Sequence, residues 1–302
     1  MVSFHLEPRE AGVSYRIVVL AKQVPDTHNI TGQAMKEDGT VNRQALPAIF
    51  NPEDLNALEE ALKIKDEWGG WVAVVTMGPP NAAQILRESL FLGADEVVLV
   101  SDRAFAGADT LATSYALSMA IKKIGAFDLV ICGRQAIDGD TAQVGPQTAE
   151  KLGIGQITCV NKILEMKKGT LTAERSIEGG YEIVKAKLPL LLTVTAEANS
   201  PRPPSAKRVM AYKHAMTPLE FQNLDESYLC AYGICEDHSV IKLWSAADIG
   251  ANPQQCGLAG SPTKVKQVEN VVLGARDSKM LEGTKEGVEA LVAELVAEHI
   301  IG

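Results

Sequence analysis

A loop suited to holding an anion lies near the middle of the chain, Cys132-Gly-Arg-Gln-Ala-Ile-Asp-Gly-Asp-Thr-Ala-Gln-Val-Gly-Pro146. An apolar β-type run, Phe127 to Cys132, feeds into it, and a helix is expected to follow over Gln147 to Leu152. A strand, a tight loop and a helix N-terminus together make a place where backbone N–H groups meet an anion. Ala142, Val144 and Gly145 are small or uncharged, so the backbone can approach a phosphate closely. The residue types therefore read as a nucleotide cradle. No Ser/His/Asp set, paired-carboxylate site or metal-binding helix stands out elsewhere.

The elements that must position this loop alternate regularly from about residue 16. Ile17 to Leu20 reads as a short buried strand, and Gln23 to Ala45 as a long polar loop or hairpin. Asn51-Pro52-Glu53-Asp54 starts a helix well: Asn51 can cap, Pro52 suits the first turn, and the acids favour the positive dipole end. Leu55, Leu58, Ala61, Leu62 and Ile64 form its apolar face. Trp71 to Thr76 and Glu96 to Val100 read as strands, with a helix between them through Ile85, Leu86 and Leu90. A further helix runs from Asp109-Thr110 to near Gly125, ahead of the strand that feeds the loop.

Near-continuous Val/Ile/Leu strands separated by helices imply a parallel sheet covered on both faces. Ligands in such sheets lie at the carboxyl ends of the strands. The loops at Ala21-Lys22, Thr76-Met77-Gly78 and Gly133 onward should converge there. After Gly153, the runs Gln156 to Met166 and Leu171 to Lys187 look like hairpins, and Leu190 to Thr195 returns to a buried strand. We divide the chain into an N-terminal extension (1–15), an α/β domain (16–200) and a C-terminal arm (201–302) ending in a helix through Val288, Leu291 and Leu295.

Composition narrows the options. The chain has 302 residues, 46% of them hydrophobic, and a net charge of −9, which suits a folded acidic protein and argues against a nucleic-acid groove. No apolar stretch is long enough to span a bilayer, and the N-terminus lacks the apolar core of a secretory signal. Five scattered cysteines argue against a disulfide framework, which makes a reducing cytoplasm the default.

Three segments resemble the beta subunit of electron-transfer flavoproteins: Val18-Val-Leu-Ala-Lys-Gln-Val-Pro25, Gly133 to Gly145, and Arg175-Ser-Ile-Glu-Gly-Gly180 with Leu188-Pro189. Cys256-Gly-Leu-Ala-Gly-Ser-Pro-Thr-Lys264 adds a fourth. The resemblance runs from Arg16 to about Val268. It implies a doubly wound, mainly parallel α/β domain akin to adenine-nucleotide alpha-hydrolase-like folds, with an arm embracing an alpha subunit that carries one FAD. The beta crevice would hold AMP in one branch of the family. In the other it would hold a second FAD that takes a hydride from NADH and splits the pair between ferredoxin or flavodoxin and an acyl-CoA dehydrogenase-type partner. His214 to Trp244 looks like an insertion relative to the family.

The AMP branch looks more like Asp-Asp-Asp-Cys-Asn-Gln-Thr-Gly in the loop. Here Asp138-Gly-Asp-Thr-Ala-Gln-Val-Gly145 is trimmed at Gly139, Ala142 and Val144, which makes room for a pyrophosphate and favours FAD over AMP. By the family's pattern Ala21 and Asn51 would line the adenosine side, with Thr76, Met77 and Gly78 as the wall. Asp140, Thr141, Gln143, Val144 and Gly145 would hold the phosphates beside Ala142. For Asn51 the cap and the pocket role are compatible. Ionised Asp138 and Asp140 can only accept, so neither should touch phosphate; Asp140 would cap the next helix or bond a ribose hydroxyl or adenine amine. Arg134 reads either as a charge partner for phosphate or reduced flavin, or as a surface salt bridge; Arg175 has the same two readings. His214, Cys230, Cys235 and His238 fit no common zinc-ligand spacing, and no metal is assigned to them.

Overall fold

The computed structural model describes residues 14–26, 47–167, 169–224, 239–263, 280–281 and 283–297. Its strands are β1 (Tyr15–Leu20), β2 (Gln23–Pro25), β3 (Ala48–Phe50), β4 (Gly70–Met77), β5 (Glu96–Val100), β6 (Leu129–Gly133), β7 (Gly155–Lys167), β8 (Thr170–Ile177), β9 (Gly180–Lys187), β10 (Leu190–Val194) and β11 (Lys242–Trp244). Among the described residues, nine of them form one sheet in the order β11-β5-β4-β1-β6-β10-β7-β8-β9. The strands from β11 to β7 run parallel, and β8 and β9 add an antiparallel edge. β1, β6 and β10 are buried almost end to end, as expected of strands covered on both faces. The mainly parallel α/β class expected from the sequence is the observed one.

The chain leaves β1 for β4 on one side and later returns to place β6 on the other. That reversal makes a topological switch point between β1 and β6, where the strand ends open a crevice. On one face lie α1 (Pro52–Trp68) and α2 (Ala83–Leu92), whose Leu58, Leu62, Ile85, Leu86 and Leu90 are fully or almost fully buried against Ile17, Val19 and Ile131. On the other lie α3 (Thr110–Ile124) and α4 (Val144–Leu152), which cover Val18, Val75, Val130 and Leu191. Each such aliphatic side chain contributes about 1.5–3 kcal/mol on burial. Asp109 caps α3 by accepting from the Ala112 amide, and Gly153 ends α4 in the left-handed conformation.

Three expectations change in detail. The polar segment after Gln23 begins and ends in a small antiparallel pair, β2 with β3; residues 27–46 lie outside the described residues. Helix α4 begins at Val144 rather than Gln147, because Pro146 is tolerated in a first turn whose N–H groups need no helical partner. The segment after residue 200, read as an arm, is partly structural. It forms α5 (Ala206–Tyr212), α6 (Pro218–Gln222), the edge strand β11 and α7 (Lys285–Ala297), and its Ala215, Met216 and Ile241 are buried. Of the residues weighed for zinc, Cys230, Cys235 and His238 lie outside the described residues; among the described residues no cluster of three metal-binding side chains occurs. None of the described helices is long and apolar enough to cross a membrane.

Candidate functional site at the ends of β1, β4 and β6

Parallel register sets the crevice. Leu20 pairs with Val75 on one side and Cys132 on the other, so Ala21, Thr76 and Gly133 stand level at its floor. The N-terminus of α1 meets this floor from one face. Glu53 and Asp54 are buried there although both are acidic. Asp54 Oδ1 accepts from the Gly133 amide at 2.9 Å and its Oδ2 from the Lys22 amide at 2.9 Å. Glu53 Oε2 accepts from the Gln135 amide at 2.8 Å, and its Oε1 pairs with Arg134 Nη2 at 3.0 Å. Asn51 completes the set: its Nδ2 donates to Gln135 O at 2.9 Å and its Oδ1 accepts from the Ile137 amide at 3.1 Å. Gly133 has no room for a side chain, since a Cβ would lie 2.7 Å from Asp54 Oδ1 and 2.7 Å from the Glu53 carbonyl carbon. Burial pushes the Asp54 carboxyl up to about 7, against the downward pull of the Gly133 and Lys22 amides. Burial and the Asp54 and Glu53 carboxylates push the Cys132 thiol up as well, so it is no nucleophile.

The strand-tip amides are therefore spent inside the protein. Arg134 N donates to Val194 O, and the amides of Gly139 and Asp140 donate to Ala136 O. The next stretch differs. The amides of residues 141–145 make no hydrogen bond among the described residues. α4 has no side-chain cap: its N-cap, Gln143, instead accepts from Thr110 Oγ1 at 2.9 Å. Asp140 (φ 47) and Ala142 (φ 52) are left-handed two residues apart, a backbone of the kind that aims successive N–H groups to one side. These amides belong to the same stretch, Asp140 to Gly145, that the family's pattern gives for the phosphates. A pyrophosphate is chemically suited to such a set of neutral donors at a helix N-terminus.

The side chains named from the sequence fall into place unevenly. Ala21 is buried, and Met77 and Gly78 are half-buried at the floor beside Thr76. Thr76 is fully buried, and its Oγ1 has no partner among the described residues. Asn51 does not cap α1 with its side chain; it ties down the loop, whose carbonyl and amide outcompete the local N–H groups. Asp140 does not cap α4 either, since it accepts from Gln135 Nε2 at 3.0 Å. Asp138 is held at 2.7 Å by Lys22 Nζ. Thr141, Ala142 and Gln143 are exposed, Val144 is half-buried, and Gly145 is buried. Gly145 serves packing, because a Cβ there would lie 2.8 Å from Cys132 Sγ and 2.9 Å from Thr193 Cγ2. Of the two readings for Arg134, the structure displays the salt bridge. Arg175 likewise pairs with Glu182 at 2.7 Å and donates to Thr158 O. The contacts of Glu53 and Asp54 with the loop are not among the roles their sequence position suggests. Two acids directly after Asn-Pro signal dipole compensation at a helix start, and only the fold brings them to the end of β6.

Fold and crevice together define a doubly wound α/β protein whose switch-point loop leaves the amides of residues 141–145 without a partner among the described residues. Comparison with known proteins then identifies the family. The electron transfer flavoprotein domain matches residues 38–217. The chain is 44% identical over 285 residues to electron transfer flavoprotein subunit beta of Clostridium acetobutylicum, covering 94% of this chain and 99% of that one. It is 44% identical over 292 residues to the caffeyl-CoA reductase-Etf complex subunit CarD of Acetobacterium woodii, covering 95% and 100%. It is 42% identical over 293 residues to the acryloyl-CoA reductase electron transfer subunit gamma of Anaerotignum propionicum, covering 95% and 100%. The chain belongs to the electron transfer flavoprotein family, on its beta-subunit side.

Proposed function

We infer that this chain binds FAD in its own crevice and works with an alpha subunit as an electron-bifurcating flavoprotein. It would oxidise NADH and deliver electrons to ferredoxin or flavodoxin and to an acyl-CoA dehydrogenase-type enzyme, in the cytoplasm. The observation that carries this reading is the run of amides at 141–145 without a partner among the described residues. The names of relatives from coenzyme A-ester reductase complexes support it.

The chemistry FAD supplies when bound is acceptance of a hydride and release of the two electrons singly. The chain's own residues bind and orient. Amides 141–145 would hold the phosphates, while Ala21 and Asn51 would line the adenosine side with Thr76, Met77 and Gly78. Arg134 would bring positive charge to the crevice, partly offset by Glu53.

Mass spectrometry of nucleotide released from the purified complex tests the reading. We expect two FAD per alpha–beta pair and bleaching of flavin absorbance by NADH. One FAD with one AMP, and a spectrum indifferent to NADH, would replace it with a non-bifurcating subunit whose nucleotide is structural.

A further inference from the structure

We propose that Asp54 is a positioning residue: with Glu53 and Asn51 it pins the ends of β1 and β6 to the start of α1 and so holds the turn that presents amides 141–145 to a diphosphate. This rests on the reading that the crevice takes a nucleotide.

Two tethers run from the pin to the phosphate turn. Asp54 fixes the Lys22 amide, and Lys22 Nζ in turn donates to both carboxylate oxygens of Asp138 at 2.7 Å. Glu53 fixes the Gln135 amide, and Gln135 Nε2 in turn holds Asp140 at 3.0 Å. Asp140 stands immediately before the amides in question and Asp138 two residues earlier, and Asp140 is the first left-handed residue of the turn. Each acid on α1 thus fixes a residue whose side chain sets the loop one step further on. Asn51 holds the intervening segment at Gln135 and Ile137.

The pin depends on charge. A carboxylate accepts from both the Gly133 and Lys22 amides, whereas a carboxylic acid must spend one oxygen as a donor and gives up one of them. The charged and titratable groups around Asp54 are Glu53 on α1, Lys22 after β1, Cys132 and Arg134 around the end of β6, and Asp138 in the loop. Arg134 is paired with Glu53 and Lys22 with Asp138, so neither neutralises Asp54. Raised by burial to about 7, Asp54 changes state within an accessible range. The grip on the nucleotide should loosen as pH falls through that value.

The test uses the full chain in complex with its partner subunit, wild type and Asp54→Asn. Hydrogen exchange, corrected for intrinsic rates, is read over residues 132–146, and retained FAD is counted by native mass spectrometry after incubation at pH 6 and pH 8. We expect wild type to lose FAD from this subunit about ten-fold faster at pH 6, the factor for one weakened bond to a charged group. Exchange over 132–146 should rise in parallel. Asp54→Asn should match the fast behaviour at both pH values. A folded Asp54→Asn protein with wild-type retention and exchange overturns the proposal. Should that variant not fold, pH-independent exchange over 132–146 in wild type overturns it equally, and pH-dependent exchange supports it. A wild-type complex without a diphosphate nucleotide in this subunit sinks the reading of the crevice, and the exchange data alone then decide the pin.

Discussion

Two helix N-termini open at the same, carboxyl end of the central strands and have opposite fates. α1 carries its own acids at its start, and these take up the amides of Lys22, Gly133 and Gln135. α4 has no acid in its first turn and no side-chain cap. Both helices present the same positive dipole end. One is offset from within and becomes a structural joint; the other keeps its first amides without a hydrogen bond among the described residues. The difference teaches that a helix N-terminus becomes a structural joint where the chain supplies its own acids beside it.

The joint is the side where a substitution should cost most. Gly133→Ala drives a methyl group into Asp54 and the Glu53 backbone, so we expect a loss of about 3 kcal/mol, read as a lowered denaturant midpoint. An unchanged midpoint would mean that α1 and β6 can separate freely.

Acidity probes the same joint in the other direction. The folded-state pKa of Asp54, about 7, lies above its ordinary 3.8, so between those values the folded protein holds more protons than the unfolded one. From this group, stability falls as pH rises from about 4 to about 7. Thermal melts across that range should show the fall in wild type, and Asp54→Asn should lack it. The sign is opposite to that expected for nucleotide retention, which separates the cost of burying a charge from its service to the loop.

The open terminus is sharpened by closing it. Gln143→Asp places a carboxylate at the N-cap of α4, which should raise stability of the free protein by about 1 kcal/mol. The same change should weaken nucleotide binding about ten-fold through repulsion and loss of a donor. Equal binding by calorimetry would show that the phosphates lie elsewhere. The smallest effect belongs to Lys22→Ala. Its partly exposed ion pair with Asp138 contributes at most about 1 kcal/mol, so the melting temperature should barely move.

Much of this architecture was legible in the residue pattern. Buried aliphatic runs such as Ile17 to Leu20 and Leu190 to Val194 are strands whichever neighbours they find. Glu178-Gly179-Gly180 announces a hairpin by its turn chemistry, and β8 and β9 meet there. The candidate loop was legible because a strand, small residues and a helix follow one another in sequence. What escaped was the pairing of distant partners. Nothing local to Glu53 or Asp54 says that each takes an amide about 80 residues away.

The apolar side chains left on the surface separate in the same way. Tyr181 and Ile183 lie opposite Ser176 and Glu174 on the outer edge strand and stay 66% and 60% exposed, whereas Val184 and Ala186 pack against the core. Alternation within β9 marks two faces, but only the sheet order shows that the strand has no neighbour beyond it among the described residues.

Composition and periodicity alone determined that this chain folds as a helix-covered parallel sheet with a small-residue loop after its central strand, because burial and turn geometry act on neighbours in sequence. Only the tertiary structure decided which amides of that loop are engaged and which stay available. Hydrogen bonds between Asn51, Glu53 or Asp54 and the end of β6 exist only after the sheet has brought α1 there, and so they could be read only from the assembled fold.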